Sequence, residues 1–153
     1  MGDAAHATVP FFGQGMNCGF EDCTVMWNMM QKYGEDWDAV FKAYETSRKP
    51  NCDSMQNLSL HNYHVMRDHV ADPKFLLQKK LERKMQDFYP DDYMPLYSMV
   101  TFSDVDYAEA EKKGEEQNKR IKKIMNLYDI EALFENGEID DLIHQFYIQL
   151  TEV

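Results

Sequence analysis

Gly2 and Asp3 open a short run that ends at His6, and Pro10-Phe11-Phe12-Gly13-Gln14-Gly15-Met16-Asn17 follows closely. A short carboxylate beside a glycine can accept hydrogen bonds from the hydroxyls of a sugar or polyol chain. The glycine lets a ligand approach without a Cβ clash. Gly13 and Gly15 permit a tight turn that aims the amides of residues 15–17 outward at the start of a helix. Such amides, together with the helix dipole, stabilise negative charge. The chemistry on offer is recognition of a polyol and of an anionic edge. No nucleophilic triad is visible, and His6 reads as a structural residue rather than a general base.

These residues need elements to hold them. Residues 1–9 read as an extended segment or the end of a strand, and residues 10–16 as a turn. A helix is predicted from Asn17 to Tyr33, with Gly34 as its stop. Trp37, Val40, Phe41 and Tyr44 recur at helical spacing, and Pro50-Asn51 are expected to close that second helix. Tyr63, Met66 and Val70 share a face within residues 53–71, which predicts a third. Asp72-Pro73 is a good helix start, because the carboxylate caps free amides and Pro suits the first turn. Leu77, Leu81, Met85 and Phe88 then form a stripe, with Lys79, Lys80, Arg83 and Lys84 on a solvated face balanced by acids.

Pro90 and Pro95 bracket a break, and Leu96 to Phe102 fit a short helix or strand. Ser103 and Asp104 are expected to open a helix carrying Ile121, Ile124, Met125 and Tyr128. The tail, residues 129–153, holds seven acids and no Lys or Arg, with an Asn136-Gly137 turn. Its Ile139, Leu142, Ile143, Phe146 and Leu150 make an amphipathic stripe that could dock on a partner. The predicted fold class is mainly α, a short N-terminal extended segment followed by a helical bundle. It divides into residues 1–34, 35–128 and 129–153.

A chain of 153 residues is the usual size of one domain, and 44% apolar with 28% charged residues suits a folded protein. The net charge of −11 argues against broad contact with nucleic acid or an anionic membrane, which need clustered Lys and Arg. No run of about 18 apolar residues predicts a spanning helix. No charged region followed by an apolar one marks a secretory leader. Cys18, Cys23 and Cys52 lack Cys-x-x-Cys spacing and read as buried thiols in a reducing cytoplasm. His61, His64 and Asp68 share a helical face, a pattern too common by chance to indicate a metal.

The string from Gly2-Asp3-Ala4-Ala5-His6 through Pro10–Asn17 to Gly19-Phe20-Glu21-Asp22-Cys23 resembles the second flavin motif of the single-component FAD-dependent aromatic hydroxylases. Within them, Val9 to Cys23 is most similar to the kynurenine 3-monooxygenase family. Leu58-Ser59-Leu60-His61-Asn62-Tyr63-His64-Val65-Met66-Arg67 resembles that family's Asn-Tyr-x-Glu-Met-Arg helix. Met94-Pro95-Leu96-Tyr97-Ser98-Met99-Val100-Thr101-Phe102-Ser103 resembles its Pro-Leu-Tyr-x-Met-Val-Thr-Phe-Ser segment. The resemblance runs in collinear order over residues 1–110, and no match is expected for the tail.

The resemblance implies an FAD hydroxylase of a kynurenine-like aromatic amino acid, with NADPH as reductant and one oxygen atom delivered to the ring as hydroxyl. It places Asp3 on the FAD ribityl chain, and Gly15, Met16 and Asn17 at the flavin, where reduced FAD carries negative charge. Pro10, Phe11 and Gln14 would lie beside the flavin and the substrate ring. Asn62 and Tyr97 would hold the amino-acid end of the substrate, a task that suits an amide and a phenol. The chain would form the C-terminal part of such a fold. It contains no Gly-x-Gly-x-x-Gly turn for the ADP half of FAD. Val65 stands where the family pattern carries glutamate, and an acidic tail stands where eukaryotic members carry a membrane anchor. The expectation is that this chain alone is inactive, and that it self-associates or pairs with a missing N-terminal half. The other reading from these residues is a non-catalytic helical interaction module, or one half of a split flavoprotein.

Overall fold

A computed structural model describes residues 1–68 and 71–151, without the side chains of 148–151. Its elements are α1 (Asp3–His6), α2 (Gly15–Tyr33), α3 (Trp37–Asp68), α4 (Pro73–Phe88), α5 (Leu96–Phe102), α6 (Tyr107–Leu127), α7 (Ile130–Asn136) and α8 (Ile139–Thr151). The protein is mainly α, as its periodicity predicts, and the described residues contain no strand. The chain divides into two compact units, residues 1–69 with 96–113 and residues 70–95 with 114–153.

In the first unit α2 packs along α3, and α1 touches α3. Its core joins Phe12, Cys18, Met55, Leu58, Met99, Val100, Tyr107 and Ala110. The N-terminal segment departs from the extended reading. Asp3–His6 close a single helical turn through bonds from the Ala5 and His6 amides to the Gly2 carbonyl, 2.9 and 3.0 Å. A strand needs a neighbour to pair with, whereas a helical turn satisfies its own amides. Gly2 sits at φ 59° with ψ −153°, a region that side chains with a Cβ rarely enter. Residues 7–9 belong to no helix or strand.

α3 also overrules a prediction. Pro50 does not end it, and the helix runs on to Asp68. The proline lacks the N–H that would reach the Thr46 carbonyl, a loss of one bond in the ladder. Neighbouring contacts outweigh that loss. Arg48 and Cys52 are buried on either side, the Asn51 amide lies 3.5 Å from the Ser47 carbonyl, and its oxygen accepts from Ala108 N–H at 3.1 Å. Ser103 likewise closes α5 rather than opening α6, donating to the Met99 carbonyl at 2.6 Å and accepting from Val105 N–H. The backbone carbonyl of Asp106 accepts the first bond of α6, from Ala110.

The second unit has its own core of Leu81, Met85, Tyr93, Ile121, Ile124, Ile130, Ile139, Leu142 and Ile143. Asp72 caps α4 through Lys74 N–H, and Asp129 caps α7 through Ala132 N–H. Gly137 ends α7 in the left-handed conformation, φ 77°. The basic face of α4 is paired: Lys79 with Glu82, Lys84 with Asp140, and Lys80 over the Phe134 ring. The tail stripe is not free to dock elsewhere. Ile139, Leu142 and Ile143 are buried in this core, and Phe146 packs against it. Leu150 lies within α8, its side chain outside what is described, and Val70 of the third predicted helix lies outside the described residues.

Replacing Pro50 by Ala restores the missing helical bond. It is expected to raise the unfolding free energy by about 1–3 kcal/mol, read as a higher urea midpoint at unchanged slope.

Candidate flavin site

Asp22 is the centre of the first unit's polar chemistry. It has no exposed surface, on the inner side of α2. Gly2 N–H donates to its Oδ2 at 2.7 Å, and His6 Nε2 contacts the same oxygen at 2.6 Å. Arg48 Nε donates to its Oδ1 at 2.8 Å. The Tyr44 hydroxyl also favours the charged form of the carboxylate. A carboxylate only accepts, so His6 carries hydrogen on Nε2 here. Arg48 extends the cluster, donating to Glu21 at 2.7 Å and to the Cys18 carbonyl at 3.1 Å. Burial pushes the Asp22 carboxyl up, but the hydrogen bonds from Gly2, His6 and Arg48, together with the Tyr44 hydroxyl, outweigh it. They hold it well below the ordinary carboxylate range. Burial, then the Asp22 carboxylate, pushes the Tyr44 hydroxyl up to about 12. The Cys52 thiol is likewise raised to about 11 by burial.

His6, Asp22 and Cys52 offer ligand atoms within 4.8 Å of one another. The Arg48 guanidinium already occupies the other carboxylate oxygen, and its charge opposes a cation at this spot. The cluster therefore reads as a structural clamp, in keeping with the structural reading of His6. Neither Asp22 nor Arg48 stands out in the sequence as a partner of the other. They lie 26 residues apart, and one carboxylate in a helix does not announce that it is buried.

Each residue singled out in the sequence has a definite place. Asp3 is exposed on α1, and Pro10 is exposed in the turn that follows. Gly13 turns the chain at φ 69°, where a side chain would be strained. The amides of Gly15, Met16 and Asn17 precede the first bond of α2, from Cys18 to the Gln14 carbonyl. No side-chain bond from Gln14 caps them. Instead the buried Gln14 side chain accepts from Asn17 Nδ2 at 2.6 Å, with the Tyr107 hydroxyl 3.5 Å away. Asn62 donates to the Phe11 carbonyl at 2.7 Å, tying α3 to the loop. Phe11 packs on Tyr63 with ring centres 4.8 Å apart, and Phe12 stacks on Tyr97 at 5.6 Å.

An open cleft of about 500 Å³ borders the start of α2, lined by Gln14, Asn17, Glu21, Arg48, Thr101 and Tyr107 among others. Of the residues singled out, Gln14 and Asn17 line it, whereas Asp3, Pro10, Phe11, Asn62 and Tyr97 do not. On the outer face of α2, Met16, Phe20 and Trp27 are 71%, 64% and 59% exposed. Cys23 is exposed on that face too, contrary to the expectation of a buried thiol, while Cys18 and Cys52 are buried.

Known proteins share much of this sequence. A family model described as an FAD binding domain matches residues 1–59. A kynurenine 3-monooxygenase of Flavobacterium johnsoniae is 49% identical over 143 residues, 94% of this chain and 32% of that protein. The chain is related to the kynurenine 3-monooxygenases. The Stenotrophomonas maltophilia protein of that name is 50% identical over 121 residues, covering 79% of this chain and 26% of its own length. That of Caenorhabditis elegans is 43% identical over 125 residues, 82% of this chain and 27% of its own. The chain thus spans about a third of the length of the curated relatives it matches. The 143 matched residues exceed the 110 that the motifs cover. The likeness to kynurenine 3-monooxygenases therefore enters the tail, where none was expected. Among the described residues no helix is long and apolar enough to cross a membrane.

Asp22 stays ionised in the folded protein at pH values where the unfolded chain, titrating near 3.8, has already bound a proton. Its stabilisation is complete above about pH 5 and drains as pH falls below the unfolded value. Tyr44 behaves oppositely: its contribution is present below its ordinary value of 10.0 and is lost as pH rises through about 12. Asp22→Ala is expected to cost about 3–5 kcal/mol by removing the buried carboxylate that Gly2, His6 and Arg48 share, with only Glu21 left to pair the Arg48 charge. Asp22→Asn should flatten the acid limb, and Tyr44→Phe the alkaline limb, of a pH series of urea unfolding curves.

Proposed function

We propose that this chain supplies the flavin-facing and ring-facing part of an FAD-dependent hydroxylase acting on a kynurenine-like aromatic amino acid. The observation that carries the proposal is the uncapped start of α2, at the end of the loop that follows α1, the helical turn that carries Asp3. The residues present fit the flavin half of FAD. An exposed carboxylate suits ribityl hydroxyls, and three amides ahead of the first helical bond suit the negative edge of the reduced ring. Bound FAD, reduced by NADPH, supplies the activation of oxygen that leads to ring hydroxylation.

The chain's own residues bind, orient and exclude water. Asp3 accepts hydrogen bonds from the ribityl chain, and the Gly15, Met16 and Asn17 amides offset charge on the flavin. Pro10, Phe11 and Gln14 border the flavin and the substrate ring as a dry wall. Asn62 spends one amide hydrogen on the Phe11 carbonyl and keeps a second donor and its oxygen for the substrate's amino-acid end. Tyr97, half exposed beside Phe12, offers its hydroxyl to the same end. Val65, in place of the glutamate of the family pattern, removes one carboxylate from that side. Turnover needs the ADP half of FAD to be held as well, so residues 1–153 alone are expected to be inactive.

The exposed face of Met16, Phe20 and Trp27 favours a second feature of this reading. Contiguous apolar surface drives association. The isolated chain is therefore expected to self-associate or to pair with a nucleotide-binding partner chain, the arrangement of a split flavoprotein.

FAD titration of the chain, followed by flavin fluorescence, is expected to give saturable quenching. Asp3→Ala is expected to weaken it about 10-fold or more, the loss of a hydrogen bond to a charged acceptor. Equal affinity of the two proteins removes Asp3 from the site. No saturable binding to wild type removes the flavin reading of these residues.

A further inference from the structure

Asp3 could not perform its proposed task from a mobile segment. It sits on a helix of four residues, far too short to be stable by itself. What immobilises α1 is the far side of the turn. The Gly2 amide, just before the helix, and the His6 ring, at its last residue, converge on one oxygen of Asp22 at 2.7 and 2.6 Å. That carboxylate is itself pinned from the opposite side by Arg48 Nε at 2.8 Å, and Arg48 is pinned by Glu21 and the Cys18 carbonyl. α1 is thus gripped at both ends, and the grip is anchored in α2 and α3. Asp3 is left exposed between the two holds.

We infer that Asp22 is a positioning residue for the flavin site: by clamping both ends of α1 it sets where the Asp3 carboxylate is presented. This rests on the reading above, in which Asp3 meets FAD. Asp22 touches no ligand in this scheme and acts only through α1. Its three donors, two from the α1 side and one from Arg48, are what make it irreplaceable. An asparagine offers one acceptor oxygen and two hydrogens where Gly2, His6 and Arg48 all need an acceptor. Either the Arg48 side or the α1 side of the clamp must then open.

A double-mutant cycle separates positioning from mere stability. FAD affinity is measured for wild type, Asp3→Ala, Asp22→Asn and the double variant, each under conditions where it is folded. Each single change is expected to weaken binding about 10-fold, and the double variant to be no weaker than Asp3→Ala alone. In the protein without FAD, backbone order parameters of Ala4 to His6 are expected to fall from about 0.85 to below about 0.6 in Asp22→Asn, with the middle of α2 unchanged. Unchanged FAD affinity in Asp22→Asn, or a double variant weaker by the product of both effects, overturns the inference. If Asp3→Ala itself leaves affinity unchanged, the flavin role of Asp3 has failed, and the positioning role falls with it. Should Asp22→Asn not fold, His6→Phe, which removes one of the two holds on α1 and keeps the carboxylate, carries the same cycle with a smaller effect in the same direction.

Discussion

The first unit is organised around a carboxylate with no water to solvate it. An ionised group in that position is costly unless every lone pair has a donor, and a half-satisfied arrangement is worse than an apolar one. Asp22 meets the requirement by recruiting donors from two separate stretches of chain: Gly2 and His6 at the N-terminal turn, and Arg48 on α3. The demand for donors therefore fixes the N-terminal turn against α2 and α3. It also explains why α2 and α3 can lie together with a charged pair between them. The guanidinium satisfies the carboxylate and a helix carbonyl at once, through its planar fork.

The loop that leaves this clamp is held at successive points. Asn62 fixes the Phe11 carbonyl, Tyr97 stacks on Phe12, and Tyr107 reaches Gln14 from α6. Each anchor comes from a different helix, so the position of the loop records the packing of the whole first unit. Its far end delivers the open amides of α2. The second unit is ordered by an apolar core and capped helices, and Ile139, Leu142 and Ile143 of its acidic tail are buried in that core.

Local signals in the sequence were legible where the physics is local. Gly34 ends α2, Asp72 caps α4 and Gly137 closes α7, each as a single residue whose conformation or side chain decides the matter. Helical periodicity found Leu81 and Met85 of α4, Ile121 and Ile124 of α6, and Ile139, Leu142 and Ile143 of α8 in the core for the same reason. Phe88 and Tyr128, counted in those stripes, are exposed. What escaped depends on contacts across the chain. Pro50 reads as a terminator until the buried neighbours Arg48 and Cys52 are known. Residues 1–9 read as a strand end until Asp22 is seen to hold both ends of a helical turn. The three cysteines look alike in sequence, yet Cys23 faces outward with Phe20 and Trp27. For the candidate site, the residues were legible as a motif, but the clamp behind them was not, because its members are separated by 16 to 26 residues.

In the proposed function, the Asp22-clamped turn and the start of α2 face the flavin as one surface. Amide chemical shifts of the labelled chain, recorded as FAD is added, report where the ligand sits. Shifts are expected to concentrate at Asp3 and at Gly15, Met16 and Asn17, with the second-unit core around Leu81 and Ile121 unmoved. Shifts that avoid both the turn and the α2 start, or that gather in the second unit, would contradict it.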